Sequence, residues 1–306
     1  MVKVGILDAD VPLAGEIIRI LINHPETEMV SLISPNLPGR NICSVHHGLI
    51  GENNLNFTDK VILDDLDLVI LMKSNDLARN IIDKYSGYEG LHLILFDKEF
   101  PEQKINENFV IGLSEINRKS LVRGAKAAYI PSPIIVPSLI SLIPLANYLL
   151  LNSDIDIEVN LPEDIALSFN EKVEGENIEN IIKKYQSSFN GKVNLKIHSA
   201  HQSERGVKTK ISFSNSLPIE EIEKIFDHIY DDHNFSFISH TEVDLKEVEG
   251  TQKVIININK PDSESLVIES VADARLRGGA GDAVHLLNLF FGLHEKTGLQ
   301  LKTSHY

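Results

Sequence analysis

Short apolar segments alternate with amphipathic ones through the first half of the chain, and this rhythm restricts the fold more than any other feature. Residues 2–7 (VKVGIL) make an apolar run of strand length. Pro12 then opens a segment with Leu13, Ile17, Ile18, Ile20 and Leu21 at helical spacing, and Pro is favoured in a first helical turn. Further strands are predicted at 29–33, 68–72, 91–96 and 127–130, with helices at 76–85 and 138–150. Strands alternating with helices build βαβ units and a parallel sheet, so residues 1–150 are expected to form a Rossmann-type α/β domain.

The pattern changes after about residue 152. Strand-like alternation fills 155–161, 193–198, 207–213, 235–240, 253–258 and 266–272, while helical spacing fits only 177–189 and 218–230. Runs of strands with few helices between them predict a mostly antiparallel α+β domain over 151–274. A last helix is predicted at 281–295, within a C-terminal segment 275–306.

Charge and cysteine content narrow the function classes. The net charge is −15, and no basic patch offsets it, so nucleic acid and anionic membrane are excluded as partners. Cys43 is the only cysteine, which leaves no disulfide framework and no cysteine-based metal site. No metal is expected. The first residues read as a strand and not a signal peptide, and no run approaches the roughly 20 apolar residues of a membrane helix. These features point to a cytoplasmic setting.

The most specific motif is Arg277-Gly278-Gly279-Ala280-Gly281-Asp282-Ala283-Val284-His285, continuing to Asn288 and Phe291-Gly292-Leu293. It resembles the K-G-A-x-G-Q-A-V-x-N-x-N-x-M-F-G-L signature of the N-acetyl-γ-glutamyl-phosphate reductases of arginine biosynthesis, which are semialdehyde dehydrogenase-like. Other stretches agree in the same order. Ala14-Gly15-Glu16-Ile17-Ile18-Arg19 is similar to the family's first helix, and Gly39-Arg40 with residues 46–51 to the segment after the second strand. Residues 97–100 match a family turn loosely. Ile111-Gly112-Leu113-Ser114-Glu115 with Asn117-Arg118 resembles Y-G-L-P-E and its sequel, and Arg205-Gly206 resembles P-x-R-G. The resemblance implies an NADP-binding Rossmann domain, a second domain for dimerisation and substrate, and a C-terminal helix that returns to the first domain.

Three chemical motifs of that family are altered. The nucleophile motif N-P-G-C-[YF]-x-T aligns with Ser132-Pro133-Ile134-Ile135-Val136-Pro137-Ser138, so the cysteine position holds Ile135. A thiolate at a helix N-terminus attacks an acyl phosphate, and an aliphatic side chain cannot form the thioester. Ser132 and Ser138 are substitutes only if a base adjoins them, and none is evident; as turn and cap residues they need no base. Cys43 lies in the wrong loop. The acid/base histidine follows a glycine-rich loop that is largely missing: Phe169-Asn170 resembles its lead-in, but Glu171, Lys172 and Val173 follow. His198 and His201 read as a strand end and loop.

The third change is in the cofactor loop. The family's G-x-x-G-x-x-G lets bare backbone N–H groups approach a pyrophosphate. Gly5 and Gly15 remain here, but Asp8 and Val11 replace loop glycines. A carboxylate about 4 Å from a phosphate costs on the order of 4 kcal/mol at an effective dielectric near 20. Asp8 and Asp10 are expected to cap the following helix instead. Ser34 and Arg40 suit a 2′-phosphate and equally read as polar loop residues. Gly279 and Gly281 open the last helix, either to hold an anion or to let the helix pack closely. His46-His47 reads as loop surface. The expectation is a catalytically inactive relative with no NADP or weakly bound NADP, a homodimer that also associates with an active reductase paralogue. The rival expectation is an NADP-dependent reductase of non-standard mechanism.

Overall fold

The computed structural model describes residues 1–85, 88–96, 109–199 and 203–304. The chain divides into two compact units: Met1–Pro131 with Gly279–Gln300, and Ser132–Gly278 with Leu301–Tyr306.

The first unit holds a six-stranded sheet of β1 (Val2–Leu7), β2 (Thr27–Ile33), β3 (Leu68–Leu71), β4 (His92–Leu95), β5 (Phe109–Ile111) and β6 (Ala127–Tyr129). The order is β2-β1-β3-β4-β6-β5, and every pairing is parallel. Parallel strands covered on both faces carry continuous apolar runs, and β3 (LVIL) is buried at all four positions. Leu7, Ile33, Val69, Leu71, Leu93 and Leu95 share one core cluster. Helices α1 (Pro12–Leu21), α2 (Asp76–Tyr85) and α3 (Ser114–Arg123) connect its strands. From β1 the chain passes to β2 on one side and then to β3 on the other. The carboxyl ends of β1 and β3 therefore flank a topological switch point, where open α/β sheets bind ligands.

The second unit holds a mixed sheet: β7 (Ile155–Leu161), β8 (Val193–Ser199), β9 (Gly206–Ser214), β10 (Ser236–Ser239), β11 (Val254–Asn259) and β12 (Ser265–Asp273). Its order is β10-β11-β12-β9-β7-β8. The three central pairings are antiparallel, and the two outer ones are parallel. Its helices are α4 (Ile135–Asn147), α5 (Glu163–Ala166), α6 (Glu171–Tyr185) and α7 (Ile219–Tyr230). Alternation puts Ile155, Ile157 and Val159 of β7 inward while Asp156 and Glu158 face out.

Several boundaries differ from the sequence reading, which had segment 275–306 on the first unit, whereas 275–278 and 301–306 belong to the second. The first unit ends at 131, not 150. The reason is α4, apolar on every side and buried from Ile135 to Ala146. Such a helix needs a full coat, and it packs on α6, α7, β9 and β12. The last helix, α8 (Ala280–Phe290), belongs to the first unit, packing on α1, α3 and β4. It ends five residues before the predicted 295. Gly292 takes φ +63, its N–H bonds Leu289 O at 3.3 Å, and Leu293 N–H bonds Asn288 O at 2.8 Å. That is a Schellman stop.

Candidate functional site

In the first unit, the loop from β1 to α1 crowns the switch point. Asp8 stands at φ +58, a conformation that disfavours side chains. Val11 sits extended at φ −78. The positive φ of the loop is therefore borne by Asp8, not Val11. The Asp8 side chain does not cap α1, contrary to expectation; the helix has no side-chain cap. Instead Asp8 Oδ2 accepts a hydrogen bond from Asn75 Nδ2 at 2.8 Å. Asn75 also caps α2, its Oδ1 accepting Ala78 N–H at 2.9 Å. Burial pushes the Asp8 carboxyl above the usual carboxylate range, against the opposing pull of Lys73 and the Asn75 bond.

The same loop is pinned from the other side. Ala9 N–H bonds Ile33 O at 2.9 Å, and His46 Nε2 donates to Ala9 O at 2.7 Å. His46 is buried, and a Cβ on Gly15 would meet its ring at 2.5 Å. The expectation of loop surface fails for His46; His47 is exposed. Gly15 is required because the imidazole lies on α1 there. Gly5 is inside β1, and a Cβ on it would meet Leu66 at 2.6 Å, so it serves packing.

Ser34 follows β2. Its hydroxyl is buried with no hydrogen-bond partner among the described residues. Arg40 is exposed, and its side chain makes no ion pair or hydrogen bond among them. Serine and arginine are residue types that the 2′-phosphate end of NADP would take. The pyrophosphate end does not fit, because Asp8 fills the loop that should offer bare backbone. Gly279 is the N-cap of α8, with Gly281 in its first turn. Asp282, buried in that turn, complements the helix dipole internally, which favours the packing role over an anion site.

In the second unit, Ile135 is the first residue of α4 and is buried. Ser132 is half-buried; its Oγ donates to Glu174 Oε2 at 2.6 Å and accepts Ile135 N–H at 3.3 Å. The reading that no base adjoins Ser132 is thus corrected: a buried carboxyl group on α6 accepts its hydrogen bond. The signal was obscured because α6 starts at Glu171, six residues before the predicted 177, with Asn170 capping Val173 N–H at 3.2 Å. Ser138 is buried and bonds back to Ile134 O at 2.8 Å, leaving no hydroxyl for chemistry. Gly278, at φ +68, lies on the nucleophile-type turn: a Cβ there would sit 2.5 Å from Pro133 N.

Where the family has its histidine, Glu171, Lys172 and Val173 form the first turn of α6. His198 is exposed on edge strand β8. His201 and residues 97–100 lie outside the described residues. Arg205 is held by Asp273, Nε to Oδ2 at 2.8 Å. A shallow groove of about 660 Å³ is lined by Glu163, Asp164, Leu167, Glu204 and Arg275, and Arg275 already pairs with Asp164 at 2.9 Å. Such a groove is unsuited to an anionic acyl phosphate. Among the described residues there is no cluster of His, Cys, Asp and Glu that holds a metal, and no helix is long and apolar enough to cross a membrane.

The two-unit architecture is that of the semialdehyde dehydrogenases. A probable aspartate-semialdehyde dehydrogenase from Pseudomonas aeruginosa superposes with a TM-score of 0.72 at 12% identity, over 95% of this chain and 98% of that one. The Candida albicans aspartate semialdehyde dehydrogenase with NADP gives 0.69 at 12% identity, over 95% and 99%. No protein-family model matches the chain. The N-acetyl-γ-glutamyl-phosphate reductase of Parabacteroides distasonis is 32% identical over 326 residues, covering 99% of both chains. That of Azobacteroides pseudotrichonymphae is 32% identical over 330 residues, again 99% of both. The chain belongs to the N-acetyl-γ-glutamyl-phosphate reductase family.

Proposed function

We propose that this chain is a catalytically inert member of its family, kept for a binding or regulatory role beside arginine biosynthesis in the cytoplasm. The observation that carries the proposal is Ile135, a buried aliphatic residue at the nucleophile position of α4. It offers no lone pair for an acyl enzyme, and general acid–base assistance alone contributes only about 10²–10⁴-fold. The replacement of the histidine segment by the first turn of α6 and the Asp8-filled phosphate loop point the same way. NADP is absent or weakly bound in this reading. The partner is a second copy or an active reductase paralogue.

The test is phosphate-dependent oxidation of an N-acyl-glutamate semialdehyde with NADP⁺, using highly purified protein. No turnover is expected, and restoring the thiol alone with Ile135→Cys should leave turnover absent. Activity in the unmodified chain would refute inertness. One observation favours a second reading, a reductase of non-standard mechanism: the Glu174 carboxylate sits on the Ser132 hydroxyl. Turnover lost on Ser132→Ala would establish that reading in its place.

A further inference from the structure

We infer that Asp8 and Asn75 form a latch across the switch-point crevice that excludes diphosphate-bearing ligands from this fold. The inference rests on the reading of a lost cofactor loop and names the device responsible.

Three observations converge. First, Asp8 directly follows β1 and Asn75 lies in the loop from β3 to α2, and β1 and β3 are the neighbouring strands where the sheet order reverses. A ligand entering an open α/β sheet comes to that crevice. Second, Asp8 holds φ +58, a conformation that costs a non-glycine residue and persists only when its surroundings enforce it. Those surroundings are visible. Asn75 grips the carboxylate, Ile33 O and His46 grip the adjacent Ala9, and Asn75 is itself fixed as the cap of α2. Third, Asp8 is half-buried in the loop that leads from β1 into α1, where a pyrophosphate would need backbone N–H groups. The protein supplies its own anion there, so a second one meets both charge and bulk.

The chemistry predicts which changes open the site. Glycine accepts φ +58 without strain, so Asp8→Gly should remain folded, with a Tm equal to or above that of the unmodified chain. Asp8→Asn keeps the shape and the bond from Asn75 but removes the charge. Calorimetric titration of NADP⁺ and of inorganic pyrophosphate into the full chain and its variants tests the latch. The unmodified chain should show no saturation below about 1 mM. Asp8→Asn should gain about tenfold in affinity, and Asp8→Gly with Val11→Gly should gain more. Micromolar binding of NADP⁺ by the unmodified chain overturns the latch. So does folded Asp8→Gly/Val11→Gly protein that binds no better than the unmodified chain. The catalytic reading fails separately, by turnover in the semialdehyde assay; unresponsive Asp8 variants with turnover still absent sink the latch alone.

Discussion

The Ser132 hydroxyl donates a hydrogen bond to Glu174 Oε2 at 2.6 Å while the same oxygen accepts the Ile135 N–H at 3.3 Å. The start of α4, which in a reductase would stabilise a thiolate, is thereby complemented by a carboxylate from α6.

That arrangement predicts the ranking of two variants. Glu174→Ala leaves the half-buried Ser132 hydroxyl contact unmade and should lower stability by about 1 kcal/mol. Glu174→Gln can still accept the hydroxyl and should cost less. Urea denaturation at neutral pH measures both; equal losses would show that neither side-chain shape nor a neutral acceptor suffices at this position.

The fold was far more legible than the site. Strands β1 and β7 match their predicted limits because Val- and Ile-rich runs with two-residue alternation are local signals. The polar α3 (SEINRKSLVR) has no apolar stripe to announce it, and Asn117 kinks it. The Phe291-Gly292-Leu293 stretch was read as part of the last helix when it is the stop. The site depended on partners that sequence does not bring together. Asp8 and Asn75 are 67 residues apart, His46 and Ala9 are 37 apart, and Ser132 and Glu174 are 42 apart. Substituted motif positions reveal what chemistry is gone, but what replaces it lies across the fold.

Gly278 and Gly39 offer a controlled comparison of backbone strain. Both have positive φ, +68 and +77. A Cβ on Gly39 meets nothing within 4 Å, whereas one on Gly278 lands 2.5 Å from Pro133 N. Gly39→Ala should cost about 1–2 kcal/mol from conformation alone. Gly278→Ala must also displace the 132–133 backbone and should exceed it clearly, to the point of poor soluble yield. Equal denaturation midpoints for the two variants would contradict the close approach.

Buried histidines make the fold acid-sensitive. His24 receives the Glu26 N–H on Nδ1 at 3.3 Å, so Nε2 carries the proton donated to Asn288 Oδ1 at 3.0 Å. Burial holds the His24 pKa below its ordinary value, as it does for His92 beside Phe290 and Phe291. A depressed folded-state pKa means that the unfolded chain takes protons first as pH falls. Stability is thus unaffected well above about pH 6.5 and declines below it until the folded pKa is reached. The urea midpoint should fall between about pH 7.5 and about pH 5.5. His24→Gln should flatten that decline even if it lowers the midpoint overall. An unchanged slope in the variant would remove His24 from the explanation.

Self-association is expected through the outward face of the second sheet. Register places Lys196 beside Glu158, Glu158 beside Lys210, and Lys210 beside Glu269, a row of alternating charge across β8, β7, β9 and β12. Lys208 reinforces it with a 3.4 Å bridge to Glu269. Helices cover the opposite face, α4 and α6 among them. Resemblance to the reductases implies that this domain carries the subunit contact, and a two-fold dimer is the commonest closed assembly. Light scattering across a dilution series should therefore report a homodimer. Lys210→Glu puts three carboxylates in sequence along the row, Glu158, residue 210 and Glu269. Opposed like charges cost roughly 0.2–1 kcal/mol per pair within the sheet, and the same change at a contact face should move the mass toward the monomer at a given concentration. A monomer mass for the unmodified chain at high micromolar concentration would end the idea. A dimer indifferent to Lys210→Glu would move the contact off this face.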